Sequence, residues 1–98
     1  MNGDARNFEA LAIHERDNVA VALEDVAQGA QVRVSRAGRI ETLIAGDAIS
    51  LGHKFALEAI AAGAPVVKYG EIIGAASAPI AKGAHVHVHN LASRRARK

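Results

Sequence analysis

One seven-residue pattern occurs three times in this chain and limits the folds that the chain can adopt. It consists of an aliphatic residue, Ala, any residue, Gly, Ala, any residue and Val, and it occupies residues 26–32, 60–66 and 80–86. Gly at the fourth position allows the positive φ of a tight turn, and the flanking aliphatic residues can anchor that turn in a core. The copies are unequally spaced, so the pattern predicts one β-corner used repeatedly rather than a solenoid.

Short apolar segments separated by turn residues predict an all-β domain with few or no helices. Several of the segments alternate apolar and polar residues, as half-exposed strands do. The predicted strands lie at residues 11–14, 19–23, 31–36, 40–44, 66–67, 72–73 and 85–89. Segment 55–62 is rich in Ala, but so short a helix is marginal, and we expect it to be extended. The charged turn 15–18 is expected to face solvent.

The length and the charge distribution predict one small domain between two polar ends. The chain has 98 residues, and four of its twelve basic residues fall in the last five positions. The remaining eight basic residues are outnumbered by ten acidic ones, so we expect no nucleic-acid surface. The predicted organisation is a flexible arm at residues 1–9, a domain at 10–91 and a solvated basic tail at 92–98.

Three absences from the sequence narrow the possible functions. The chain has no cysteine, which excludes disulfides, thiolate chemistry and Cys-ligated metal sites. Its three aromatic residues, Phe8, Phe55 and Tyr69, are too few for a base-stacking surface. The N-terminal residues lack the apolar run of a signal peptide, and no apolar segment approaches the length of a membrane span. We therefore expect a cytoplasmic protein without a membrane partner.

The alternating segment 85–89 contains the most distinctive side chains. In a strand, His85, His87 and His89 would share one face, while Val86 and Val88 would point into the core. Imidazoles about 6–7 Å apart along a strand cannot all bind one ion, but a neighbouring pair can, with the third outside. Three interpretations stay open: an ordinary polar face, an acid–base surface, since imidazole titrates near neutrality, or a metal site.

Two further clusters contain charged residues within apolar surroundings. Gly52-His53-Lys54 places an imidazole and an ammonium beside a glycine that allows close approach. Lys68 lies between two short strands and is followed by Tyr69. The Lys68 side chain can extend to solvent or present its ammonium to a carboxylate. Tyr69 fits a core residue whose hydroxyl lies at the surface.

Taken in order, these segments resemble the SAF domain of altronate dehydratases. The resemblance extends over residues 10–91, and its most specific elements are Gly-His-Lys, Lys-Tyr-Gly and His-Val-His-Val-His-Asn. The residues that carry it are His14, 17–23, 52–57, 68–70 and 85–90. It implies a β-clip fold, in which a long hairpin is folded over on itself.

The resemblance also implies a reaction. Members of this family remove water from a sugar acid to give a 2-keto-3-deoxy acid. A base removes the proton α to the carboxylate, and the β-hydroxyl leaves with acid assistance. A divalent metal such as Fe²⁺ or Mn²⁺ typically polarises the carboxylate. We therefore expect a divalent metal in the assembled complex.

In some relatives, including sulfolactate sulfo-lyases, the SAF module is a separate polypeptide paired with a large subunit. The present chain resembles that separate form. We therefore expect the small subunit of a sugar-acid dehydratase, inactive alone, with a large dehydratase subunit as its partner. The alternatives are a (2R)-sulfolactate sulfo-lyase small subunit and a carbohydrate-binding SAF module without catalysis.

The matching positions carry the candidate site residues. We expect His53, His87 and His89 to be catalytic, and His85 with His87 to form the metal pair. The expected substrate-binding residues are Lys54, Lys68, Tyr69 and Asn90. A homodimer is also expected, because a small β-domain has edge strands that must be covered.

Overall fold

The prediction of an all-β domain is confirmed. The computed structural model describes residues 7–93, which form strands and turns but no helix, so none of them provides a helix able to cross a membrane. The strands are β1 Ala10–Ala12, β2 Val19–Ala22, β3 Gln31–Arg36, β4 Arg39–Ile44, β5 Lys54–Ala56, β6 Pro65–Lys68, β7 Glu71–Ala76, β8 His85–Val86 and β9 Leu91–Ser93. Of the predicted arm and basic tail, residues 1–6 and 94–98 lie outside the described residues.

The strands form two sheets. The larger sheet has the order β4-β3-β1-β2-β5-β8, and the smaller has the order β6-β7-β9. All pairs are antiparallel except β1 with β3. Strands β4 and β8 are therefore the two edges of the larger sheet, and β8 carries part of the histidine segment.

Two tight hairpins join consecutive strands where the sequence predicts turns. Ala37 and Gly38 connect β3 to β4 with φ of 51° and 87°, and Tyr69 and Gly70 connect β6 to β7 with φ of 54° and 81°. Two successive residues with positive φ are the signature of a type I′ turn, whose twist matches that of the flanking strands. The second hairpin therefore fixes Tyr69, and Lys68 before it, at the end of the smaller sheet.

The repeated pattern forms the corners that were predicted, and the chain contains a fourth copy. In each corner the residue after the glycine donates a backbone hydrogen bond three residues back, as from Ala30 to Ala27, and each glycine has a φ of 84–87°. The fourth copy, at residues 49–55, has Ser, His and Phe at positions that are Ala, Ala and Val elsewhere. The corners associate in pairs through bridges between their anchors, Val26 with Ile49 and Ile60 with Ile80.

The apolar anchors form two adjoining cores. One lies around Phe55 and Val34 on the larger sheet, and the other around Val66, Ile80 and Val86 between the two sheets. Four of these five side chains are 0% exposed, and Ile80 is 3% exposed. Since Phe55 lies two residues after His53, and Val86 lies between His85 and His87, the cores hold the backbone of the candidate site in place.

Candidate functional site

Pairing of β5 with β8 brings distant histidines together. The register places Lys54 opposite Val86 and Phe55 opposite His85. Continued by one residue, it places His53 opposite His87. Because side chains alternate along a strand, His53, His85 and His87 share one face of the larger sheet. The fourth corner turns at Gly52, and this turn places His53 directly before the start of β5.

The three imidazoles form a compact triangular cluster with nearly parallel ring planes. Ring centroids are 5.1 Å apart for His53–His85, 4.8 Å for His53–His87 and 5.4 Å for His85–His87, and the planes are within 17° of parallel. Nδ1 of His53 lies 2.9 Å from Nε2 of His85, so one nitrogen carries a hydrogen and the other accepts it. His89 lies at the margin, with its ring 5.5 Å from that of His85 and tilted by 32°.

The prediction of one continuous strand at 85–89 is wrong after Val86. Val86 is buried as predicted, but Val88 is 82% exposed instead of pointing into the core. The reason is Asn90, which closes a turn. Its Oδ1 accepts from the His87 backbone N–H at 2.9 Å, its Nδ2 donates to the His85 carbonyl at 2.9 Å, and its N–H donates to the His87 carbonyl at 3.1 Å.

Asn90 therefore holds the backbone that carries the histidines. The residue is 9% exposed, and both polar atoms of its side chain are used by that backbone. Its assignment to substrate binding stays a prediction. Asp47 supports the cluster in a similar way, since its Oδ2 accepts from the His85 backbone N–H at 2.9 Å.

The electrostatic environment favours neutral imidazole at His85. Partial burial lowers the pKa of His85, and the neighbouring imidazoles of His53, His87 and His89 lower it further, against the opposing effect of Asp47. A neutral imidazole is the form that accepts a proton or binds a metal ion. The cluster is therefore chemically suited both to acid–base work and to metal ligation.

The candidate lysines lie away from the imidazoles. Lys54 alternates with His53 along the chain and so projects from the opposite face of the sheet. Burial lowers the pKa of Lys54, and the charge of Lys68 lowers it further. The Lys68 ammonium lies 5.1 Å from the centre of the Tyr69 ring, a cation–π contact. The structure thus forms one imidazole cluster and one lysine cluster, with the start of β5 between them.

Asp17 is a residue whose role the sequence did not predict. The charged turn around it was expected to face solvent, yet Asp17 is 1% exposed. Its Oδ2 accepts from the N–H groups of Ile13 and His14 at 3.1 Å, and its Oδ1 accepts from Gly70 at 2.7 Å. Asp17 therefore ties the β6–β7 hairpin, and with it Lys68 and Tyr69, to the larger sheet.

The donor set of the imidazole cluster suits a transition metal. Nitrogen atoms of His53, His85 and His87 all lie within 4.8 Å of one another. Imidazole is a ligand for Zn²⁺, Fe²⁺ and related ions, and three protein ligands with an open position are typical of catalytic sites. A bound divalent ion would supply Lewis-acid polarisation of a carboxylate.

Residues 8–94 match the family model described as the altronate/galactarate dehydratase SAF domain. The chain belongs to this SAF-domain family. The resemblance predicted from the sequence is thereby confirmed. The SAF domain is 51% identical to altronate dehydratase of Escherichia coli (strain K12) over 83 residues, which are 85% of the chain and 16% of that protein. It is 40% identical to altronate dehydratase of Bacillus subtilis (strain 168) over 80 residues, 82% of the chain and 15% of that protein.

A smaller relative aligns along nearly its whole length. The SAF domain is 34% identical over 89 residues to the (2R)-sulfolactate sulfo-lyase subunit alpha of Chromohalobacter salexigens, covering 87% of the chain and 95% of that subunit. The SAF domain therefore spans about one sixth of the altronate dehydratases it matches but corresponds to almost all of this subunit. These relatives connect the SAF domain with dehydratases and lyases.

Proposed function

We propose that this SAF domain is the small subunit of a sugar-acid hydro-lyase, and that with a larger chain it completes the site that forms a 2-keto-3-deoxy acid. The observation that carries the proposal is the joining of His53, His85 and His87 in one half-buried cluster. A module that only folds and binds does not need three imidazoles packed together. The identity of 51% to the Escherichia coli altronate dehydratase, against 34% to the Chromohalobacter salexigens sulfo-lyase subunit, supports dehydration of a sugar acid.

Removal of water across the α and β carbons of a carboxylic acid needs three groups. A base takes the α proton, an acid assists departure of the β-hydroxyl, and a third group binds the carboxylate. In this proposal His89 supplies proton transfer at the margin of the cluster, and His53 and His87 support the chemistry from within the cluster. General acid–base catalysis requires such groups within hydrogen-bond reach of the substrate and with a pKa near the working pH. Histidine as a residue type is suited to the second requirement, because free imidazole titrates near neutral pH.

The lysine cluster is proposed to bind the substrate carboxylate. Lys54 and Lys68 are close enough for the charge of one to lower the pKa of the other, so a bound anion would relieve their repulsion. Lys54 follows His53 directly in the chain, and Gly52 before them has no side chain. A small acid lying across the start of β5 would therefore have access to both clusters.

The subunit arrangement is supported by the sulfo-lyase relative. That relative is named as subunit alpha, and the SAF domain matches 95% of its length. In the altronate dehydratases the matched part is 15–16% of the protein. We propose that a larger dehydratase chain provides the remainder of the site. The cytoplasmic location and the homodimer expected from the sequence stay predictions.

Reconstitution with a larger dehydratase chain tests the proposal. The two chains are co-expressed and assayed for keto-acid formation from hexonates and aldarates, and for sulfite release from sulfolactate. We expect keto acid only when both chains are present. We also expect kcat to fall about 10²-fold or more for His89→Ala, the scale of general acid–base catalysis, and to fall for His87→Ala, which removes one of the three clustered imidazoles. Thr42→Ala, on the opposite edge strand β4, is the matched control.

Other outcomes would replace the proposal. Sulfite release that needs both chains would assign the SAF domain to a sulfo-lyase. Full turnover by the larger chain alone, or sugar-acid binding by the SAF domain without turnover in any combination, would leave a carbohydrate-binding module. Normal turnover of His87→Ala in the complex would remove the imidazole cluster from the chemistry.

A further inference from the structure

We infer that this chain, without any partner, binds one divalent first-row transition metal ion through His53, His85 and His87. The sequence pattern predicts at most a pair of ligands within segment 85–89. In the fold the third imidazole comes instead from His53, which directly precedes β5 and lies 32 residues before His85 in the chain. The resulting group has three ring nitrogens within 4.8 Å of one another.

The distances between ring nitrogens are close to those of a metal site. Zinc–imidazole bonds are about 2.0–2.1 Å long, so two ligands of a tetrahedral ion are about 3.3 Å apart. His53 Nδ1 and His85 Nε2 are 2.9 Å apart, and an ion between them would take the place of the shared hydrogen. Ring rotation would bring His87 to the same ion, because one of its ring nitrogens already lies within 4.8 Å of the other two ligand nitrogens.

The backbone that carries the ligands is held in place by other residues. Asn90 bridges the His85 carbonyl and the His87 N–H through its side-chain amide. Asp47 accepts from the N–H of His85, and Phe55, fully buried, lies opposite His85 in the sheet. Ligands whose positions are set before the ion arrives lose less conformational entropy on binding, which favours affinity.

His89 is outside the group and provides a matched control. Its ring lies beside that of His85 at a tilt of 32°, but it does not belong to the set of nitrogens within 4.8 Å. Three protein ligands leave at least one position of a four-coordinate ion open. That open position would be available to water or to a substrate oxygen.

The experiment measures metal binding by the full chain after removal of metal with a chelator. Zn²⁺ is titrated by calorimetry, and Co²⁺ is titrated by visible absorption, in which imidazole ligation gives a ligand-field band. We expect one ion per chain. Each of His53→Ala, His85→Ala and His87→Ala should weaken binding by roughly tenfold or more, while His89→Ala should change it by less than about threefold.

Folding and ligand identity are checked independently. Metal-free denaturation curves establish that each variant is folded, and His53→Gln serves as a second variant where the alanine substitution unfolds the chain. Paramagnetic Co²⁺ should shift or broaden the imidazole NMR signals of His53, His85 and His87 before that of His14, which lies in another turn. Binding that survives the triple alanine variant, or that depends equally on His89, would overturn the inference.

A role of this ion in catalysis rests on the proposed function, whereas binding of the ion to the isolated chain does not. If the chain binds no ion and the reconstituted complex still dehydrates sugar acids, the metal inference fails and the proposed function stands. If the chain binds an ion and no combination of chains gives keto acid, the proposed function fails and the metal site stands.

Discussion

At the scale of single residues, Asp17 combines almost complete burial with three backbone hydrogen bonds. A carboxylate accepts through both oxygens, whereas an amide has one oxygen and would set its NH₂ group against one of these N–H donors. We expect Asp17→Asn to lower the free energy of unfolding by about 1–3 kcal/mol, the cost of leaving buried polar groups unpaired.

Urea denaturation checks this expectation. Asp25→Asn is the control, because Asp25 is exposed and its Oδ1 accepts one backbone bond, from Leu51 at 2.9 Å. Its substitution should change stability by less than about 0.5 kcal/mol. Equal effects of the two substitutions would mean that the bonds of Asp17 do not hold the β6–β7 hairpin to the larger sheet.

Because Lys54 and Lys68 are close together, substitution of Lys68 should shift the pKa of Lys54 measurably. Burial is the larger cause of the lowered pKa of Lys54, and the charge of Lys68 is the smaller. Lys68→Gln should therefore raise the pKa of Lys54 part of the way towards its ordinary value of 10.5. The pKa can be followed by NMR of ¹³C-methylated lysines, with Lys82→Gln as a control that should leave it unchanged.

The sign of the effect on stability follows from linkage. A lysine whose pKa is lowered by folding binds its proton less tightly in the folded state, so the unfolded state carries more protons in the range between the two pKa values. Stability therefore rises with pH across that range below 10.5, and Lys68→Gln should reduce the rise. An unchanged pH dependence would show that the two ammonium groups do not interact.

At the scale of elements, the four glycine corners share a conformation but differ in their surroundings. Gly63 and Gly83 have φ of +84° and +87°, yet a Cβ on Gly63 would meet nothing within 4 Å, whereas one on Gly83 would lie 2.4 Å from the Ile44 carbonyl oxygen. Gly63→Ala should cost about 1–2 kcal/mol, since a side chain disfavours positive φ. Gly83→Ala should cost about 2 kcal/mol more, because backbone must move.

Chemical denaturation of the two variants measures this difference directly. The pair is internally matched, since both glycines occupy the fourth position of the same seven-residue pattern. Equal losses would mean that the corner at 80–86 does not pack against residues 44–46. That packing places the start of β8, and with it His85, beside Asp47.

Local chemistry accounts for the elements that the sequence predicted correctly. Strand β3 matches its predicted limits, 31–36, because Val32 and Val34 alternate with polar residues and a tight turn follows. The glycine corners were also predicted, because only glycine adopts their φ without strain. The copy at 49–55 was missed, because the pattern expected Ala and Val where this corner has His53 and Phe55.

A turn closed by a side chain and two long-range contacts account for what the sequence could not predict. The alternation of 85–89 is the pattern of a strand, but Asn90 bonds the backbone of His85 and His87 and ends the strand at Val86. Nothing local indicates that His53 lies across from His87, because this depends on the register of β5 with β8. The burial of Asp17 likewise depends on Gly70, which is 53 residues away.

At the scale of the whole molecule, exposed apolar side chains flank the imidazole cluster. Val88 is 82% exposed and Leu51 is 61% exposed, and they lie one residue from His87 and two residues from His53. Neither side chain contributes to a core, so neither is explained by folding of this chain. If a larger chain completes the site at the imidazoles, its surface must lie against these two residues, and their burial would contribute to association.

Val88→Asp should therefore weaken association with the larger chain by at least about tenfold, or about 1.4 kcal/mol, without lowering the stability of the isolated SAF domain. The control is Ile40→Asp, which places the same charge at a 46% exposed apolar position on β4, the opposite edge of the larger sheet from β8. Sedimentation of mixed chains gives the affinities. Stronger weakening by Ile40→Asp would place the interface on the β4 edge, and the imidazole cluster would then face solvent in the complex.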